Sequence, residues 1–359
     1  MKNQLPTPPK VLQEQSDALK AILKQQINEH NGISFAEYMH TCLYTPGLGY
    51  YSSPLTKFGK TGDFVTAPEI SPLFSYCLAR CIAHDFVLEI GAGSGTMAAH
   101  ILQYLENNNM PLKHYYILEV SADLRAKQKE MINSIAPNML DKVIWLDDLP
   151  EKFNGIVFAN ELLDAMPVHM FTFQNNQFLE QFIEIDTGDN FKVTLRDSLP
   201  EKAKHYLSQF KNNFCEGYSS EINLAIAPWL QNLYGHCENT QIILIDYGFN
   251  KETYYHAERS MGTLMCHYQH MAHDDVFFYP GLQDITAHVD FSFVMENAEA
   301  MGFSIEQYCT QAEFLMENGI LEYAADDPVE QYQLAQGLKR LLLPSEMGEL
   351  FKVLVLHTF

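Results

Sequence analysis

This sequence predicts an α/β fold built on a doubly wound, mostly parallel sheet, with an N-terminal helical region and an insertion between the fourth and fifth strands. Three observations predict it. From residue 86 onward, short and nearly continuous apolar runs alternate with amphipathic stretches, the pattern of strands covered by helices on both faces. The first run, FVLEI, ends in a loop carrying Gly91, Gly93 and Gly95, and such loops follow the first strand of doubly wound sheets. The chain has 359 residues, more than one average domain, and the alternation breaks between about 168 and 235.

The chain starts with LPTPPK, a proline-rich arm, followed by an amphipathic helix over 12–30 and a second helix at SFAEYMHTCLY (34–44). TPGLGYYSS is a turn, and 56–75 is too rich in turn residues for regular structure yet too apolar for a simple linker. FVLEI is a buried strand, GTMAAHILQYLE a helix, YYILEV (115–120) the second strand, and SADLRAKQKEMINSI a helix that Ser121 caps. KVIWL (142–146), GIVFAN (155–160) and QIILIDYG (241–248) are strands three to five, and ELFKVLVLHTF closes the chain as a strand. In the inserted interval, QNNQ marks a hairpin, NFKVTL adds a strand and SEINLAIAPWLQNLYGH a helix. Residues 1–80 thus form an N-terminal region and 81–359 the main domain, with a β/α subdomain inserted at about 168–235.

The formal charge is −22 and the sequence pI about 4.9. A field of that sign repels phosphate backbones, so nucleic acid is excluded as a general partner, and a solvated acidic surface or a basic partner fits better. The seven cysteines are scattered with no CxxC pair, which implies a reducing compartment. Residues 1–30 hold no apolar run of signal-peptide or membrane-spanning character, and the first arginine is Arg80, so a cytoplasmic location without membrane insertion is expected.

The glycine spacing distinguishes between ligands. A dinucleotide fold uses G-x-G-x-x-G, whereas here Gly91, Ala92, Gly93 and Gly95 give G-x-G-x-G, with Thr96 where the third dehydrogenase glycine would stand. Glu89, just before the loop, opposes a pyrophosphate and suits a cationic ligand. Glu119 and Val120 end the second strand, where a carboxylate can accept hydrogen bonds from both ribose hydroxyls. Asp147 and Asp148 follow the third strand, in reach of an adenine amino group, and Asn160 ends the fourth. In order on successive strand ends, these residues point to S-adenosylmethionine rather than NAD.

Further stretches carry a resemblance: GDFVTAPEISPLF (62–74), VLEIGAGSGTMA (87–98), FANELLDAMPV (158–168), IDYG (245–248), PGLQDITAHVDFS (280–292) and MGELFKVLVL (347–356). The chain resembles the MidA family of class I methyltransferases, whose fold is Rossmann-like and which includes an arginine methyltransferase that assists assembly of respiratory complex I. The resemblance implies an S-adenosylmethionine-dependent protein arginine N-methyltransferase, with a protein substrate such as a subunit of a type I NADH dehydrogenase. The alternatives are an S-adenosylmethionine-binding assembly factor with little turnover, or a small-molecule methyltransferase with a closed apolar pocket. The insertion is expected to serve either substrate recognition or a homodimer.

Ligands of such sheets bind beyond the carboxyl ends of the strands. Glu161 and Asp164 follow strand four, and paired acids suit bidentate contact with a guanidinium. They share a face if a helix begins at Glu161; the alternative is that one caps that helix and the other is solvated. Asp63, Phe64 and Thr66 lie upstream of the sheet, as a lid over the cofactor with Glu69 facing substrate, or as a buried turn. His288 either receives a proton or orients substrate, or is a structural histidine, and Asp290 caps the helix that follows. Tyr247 and Gly248 are expected along the substrate channel. His267, His270 and His273 do not share one helical face, methyl transfer needs no metal, and a polar substrate-facing surface is expected there instead.

Overall fold

The computed structural model describes residues 5–53, 65–323 and 327–359. Its central sheet contains β1 (Phe86–Ile90), β2 (His114–Leu118), β3 (Val143–Leu146), β4 (Ile156–Asn160), β5 (Gln241–Phe249), β6 (Ser304–Thr310) and β7 (Phe351–His357). The spatial order is β6-β7-β5-β4-β1-β2-β3. Strands β1 to β5 are parallel, and β7 enters antiparallel between β5 and β6. The sequence reading passed over β6, whose polar Ser304, Glu306 and Gln307 suit the half-buried edge it occupies.

Alternate residues of the central strands feed two cores, which explains their unbroken apolar runs. Val87, Ile156, Phe158, Ile243 and Val353 face the helices Pro72–Arg80, Thr96–Asn107 and Ala122–Ile135. Leu88, Val157, Ala159, Leu244 and Leu354 face Ile226–His236 and Phe291–Met301. The last helix of the inserted interval therefore belongs to a layer of the main sheet.

The rest of the insertion joins the N-terminal region. Strands His169–Gln174, Gln177–Ile185, Phe191–Arg196 and Tyr218–Ile222 form an antiparallel sheet, which Ile33–Ser34 completes through the register pair Ile33 and Ile183. The hairpin at QNNQ turns on Asn175 and Asn176, both at positive φ (50° and 64°), as two-residue hairpins require. The helices Lys10–His30 and Phe35–Tyr44 pack on this sheet through Leu23, Ile27, Tyr38 and Met39, against Met170 and Ile183. A three-stranded sheet of Met265–Tyr268, Met271–His273 and Asp284–Thr286 adds Cys266 and Ile285 to the same core. This second lobe covers the carboxyl ends of the parallel strands. Among the described residues no helix is long and apolar enough to cross a membrane.

The chain returns from the second lobe to the central sheet where Val289 pairs with Gly248 of β5. A Cβ at Gly248 would lie 2.1 Å from the Val289 carbonyl oxygen, a backbone atom that cannot give way alone. Gly248→Ala is expected to cost about 1–3 kcal/mol as the two segments are forced apart. Chemical denaturation that finds no loss would show that this contact yields freely.

Candidate active site

Beyond the ends of β1, β2, β4 and β5 lies a cavity of about 630 Å³, roofed by the second lobe. The glycine loop forms its floor. Gly91, Gly93 and Gly95 all have positive φ (74°, 53° and 82°), so three successive turns of backbone depend on the absence of Cβ. Gly91, buried Ala92 and Gly93 line the cavity with backbone. Thr66 also lines it. Glu69 does not face substrate: its carboxylate accepts the Thr66 N–H (3.4 Å) and the Ser94 hydroxyl (3.1 Å), and so clasps the Thr66 segment to the glycine loop. Asp63 and Phe64 lie outside the described residues.

Glu89 lines the cavity from β1, is 2% exposed and accepts the Tyr115 hydroxyl at 2.6 Å. Burial pushes its carboxyl up to about 7. Glu119 lies on the cavity wall at the end of β2, its oxygens receiving the Ser121 N–H (2.9 Å) and the Gln128 amide (3.2 Å). Val120 sits beside it on the exposed rim. Asp148 does not join them. It is exposed and does not line the cavity, because β3 stops at Leu146 and the following turn points outward. There Asp147 pairs with Arg125 at 2.6 Å.

The end of β4 departs from the helical expectation. Glu161 has φ 50° and no helix begins there; residues 161–166 form an irregular turn. Asp246 of β5 shapes that turn by accepting the N–H groups of Leu163 (2.9 Å) and Asp164 (3.1 Å) on one oxygen, while Tyr247 N–H donates to the other. The Glu161 N–H donates to the Ile245 carbonyl at 2.8 Å. Glu161 and Asp164 therefore both line the cavity, but by way of a pinned turn, and Asp164 is buried, not solvated. Burial, with Asp164 beside it, pushes Glu161 up to about 8. Burial raises Asp164 as well, against the Tyr247 hydroxyl that donates to it at 2.6 Å. Asn160 donates to Glu161 at 3.2 Å, and its own buried Oδ1 has no protein partner, nor has Asp164 Oδ1.

The roof brings His288 over the site. Its ring stacks on Phe249 (5.2 Å) and meets Tyr247 edge-on (4.9 Å). Burial, and then Arg259, lower it to about 4, so the imidazole is neutral near pH 7 and suits orienting a donor better than storing a proton. The backbone N–H of His288 donates to Thr263 Oγ1 (2.9 Å), and the Thr263 backbone N–H in turn donates to the fully buried Glu221 (2.8 Å) of the inserted sheet. Asp290 caps Phe291–Met301, as expected. The roof also supplies Asp284, which accepts the Tyr51 hydroxyl at 2.9 Å, and a stacked Tyr44–Tyr51 pair. Of the three spaced histidines only His267 lines the cavity, and they lie on a hairpin rather than a helix. Sequence reasoning missed Tyr44, Tyr51, Gln128, Glu221, Asp246 and Asp284. Asp246 carried a signal, as a lone acid within an apolar β5 run.

A glycine loop under a cavity at the switch point of this strand order, with a carboxylate after β2, defines a nucleoside-binding class of α/β enzyme. Residues 82–309 match the family described as "Putative S-adenosyl-L-methionine-dependent methyltransferase". The Rattus norvegicus and Homo sapiens proteins named protein arginine methyltransferase NDUFAF7, mitochondrial, are 28% and 27% identical, over 92% and 93% of this chain and 82% of each relative. A Burkholderia thailandensis protein, crystallised with S-adenosyl-homocysteine bound, is 40% identical with a TM-score of 0.94, covering 99% of this chain and 95% of that one. The chain belongs to this family, the MidA-like group its motifs resemble, and is an S-adenosylmethionine-dependent methyltransferase. The residues present fit that cofactor: a glycine-rich backbone floor, the Glu119 carboxylate, the open acceptor of Asn160 and the acid of Glu89.

Glu119→Ala is expected to weaken S-adenosylhomocysteine binding at least about tenfold, and Asp148→Ala to change it by less than about twofold. Calorimetric titration of both variants checks the assignment. A large loss in the Asp148 variant alone would transfer the ribose or adenine contact to the β3 turn.

Proposed function

We propose that this methyltransferase modifies arginine side chains of a protein substrate. The observation that carries the reading is the pair of acids, Glu161 and Asp164, converging on one cavity wall, with Tyr247 holding one and Asn160 the other. Paired carboxylates match the fork of a guanidinium, and a low-dielectric wall strengthens that contact. The names of the NDUFAF7 relatives support the choice of arginine. Glu161 and Asp164 give the otherwise largely apolar cavity a wall suited to a cationic side chain.

The bound cofactor supplies an electrophilic methyl group on a sulfonium. The chain's own residues do the rest. Glu161 and Asp164 accept hydrogen bonds from the guanidinium and concentrate its lone pair on the attacking nitrogen. Tyr247 keeps Asp164 aimed at the cavity. Glu161 takes the proton that the methylated nitrogen releases. His288, neutral, accepts a hydrogen bond from the incoming group. Thr66 covers the cofactor.

The reading also includes a basic protein target, with a subunit of a type I NADH dehydrogenase as the candidate, and a cytosolic location, to which the seven unpaired cysteines are suited.

The direct test supplies radiolabelled S-adenosylmethionine and a panel of basic proteins, and hydrolyses the products. Methylarginine is expected; methyl-lysine, or label confined to small molecules, would overturn the reading. On an arginine substrate, Glu161→Gln is expected to lower kcat by about a hundredfold or more while S-adenosylhomocysteine still binds. The pH profile supplies a further check. A carboxyl must be ionised to receive a cation, and kcat/KM follows the free enzyme. With Glu161 raised to about 8, kcat/KM is expected to climb with pH and level off above that value. A profile flat from about pH 6 to 9 would remove Glu161 from the rate-determining contact.

A further inference from the structure

Gln128 lies in the middle of the helix Ala122–Ile135, outside every motif of the sequence and off the cavity wall, and it is fully buried. A buried amide carries a desolvation cost unless all its polar atoms are used. Here both are. Its Nε2 donates to the Gly93 carbonyl (3.1 Å) and to Glu119 (3.2 Å), and its Oε1 accepts the Trp145 indole N–H (2.9 Å). One side chain thus links the loop after β1, the acid after β2 and an indole on β3.

The helix comes close enough to make these links because of Gly95. A Cβ there would stand 2.8 Å from the Gln128 Cα and 3.1 Å from its Cβ and Cγ. The early third glycine of G-x-G-x-G is the position that faces this helix.

We infer that Gln128 is a positioning residue for the cofactor: through one amide it fixes the glycine loop and the Glu119 carboxylate relative to each other, with Trp145 holding the amide's orientation. Glu119 makes the contact and Gln128 sets its geometry. Gln128 touches no reacting atom.

The test is a double-mutant cycle read by calorimetric titration of the full chain with S-adenosylhomocysteine. Gln128→Leu is expected to weaken binding about tenfold, and Trp145→Phe, which keeps an aromatic ring but removes the N–H, about threefold. Glu119→Ala weakens it too, and Gln128→Leu added to Glu119→Ala is expected to cost little more, because residues in one network are not additive. A role in packing alone predicts the reverse: a lowered melting temperature with unchanged affinity, or losses that multiply in the double variant. Either result overturns the inference. Should Gln128→Leu fail to fold, Trp145→Phe decides the matter, with unchanged affinity counting against the proposal.

Discussion

The structure turns on keeping acids out of water at the ends of its parallel strands. Glu89 and Asp164 are buried and Glu161 half-buried around one cavity, with buried Asp246 behind the turn that carries Asp164, and among the described residues no lysine or arginine lines the cavity. Carboxyls held this way resist ionisation. Their folded pKa values are raised above the ordinary range, to about 7 for Glu89 and about 8 for Glu161. By linkage, the stability they contribute is full below the ordinary carboxylate range and is lost as pH rises through about 7 to 8. The free cavity therefore favours proton retention, and a cation entering it replaces those protons. The sulfonium of the cofactor and the cationic side chain proposed as substrate answer the same electrostatic demand from different sides.

The backbone has to hold these acids against their own repulsion. Asp246 does so by receiving three N–H groups, two of them from the turn that carries Asp164. Those donors favour its ionised form, while burial and the neighbouring Asp164 and Glu161 push its carboxyl up. The left-handed conformation of Glu161 belongs to the same arrangement. A non-glycine residue at φ 50° is held there by its surroundings, here the bond from its N–H to the Ile245 carbonyl. A helix starting at Glu161 would have dispersed the acids along its axis. The turn brings them to one wall.

The parts legible in sequence were those set by local pattern. The continuous apolar runs of the parallel strands, the glycine loop and the acids at the ends of β1, β2 and β4 are readable in the sequence itself. The illegible parts were set by tertiary approach. Gln128 is one polar residue on an amphipathic helix until the glycine loop is laid against it. Glu221 looks like a strand-surface acid, yet it is wholly buried beneath Thr263. Asp148 failed in the opposite way: the strand order is as expected, but the turn after β3 faces solvent. Tyr51 and Asp284 come from segments far apart in the chain and meet only because the second lobe folds back over the sheet.

That folding back explains where the insertion sits. The chain leaves the sheet directly after Asn160, Glu161 and Asp164, and re-enters it along β5 to deliver Asp246 and Tyr247 against them. Everything between is bracketed by the acidic wall. The inserted sheet then binds the N-terminal helices through the Ile33–Ile183 pair, and the second helix and the turn after it bring Tyr44 and Tyr51 over the same wall. The return path is secured at Gly248, whose backbone abuts Val289, next to His288. An insertion at another strand end would place its roof away from the acids. At this one, the residues that need shielding from water are also the residues that fix where the shield begins and ends.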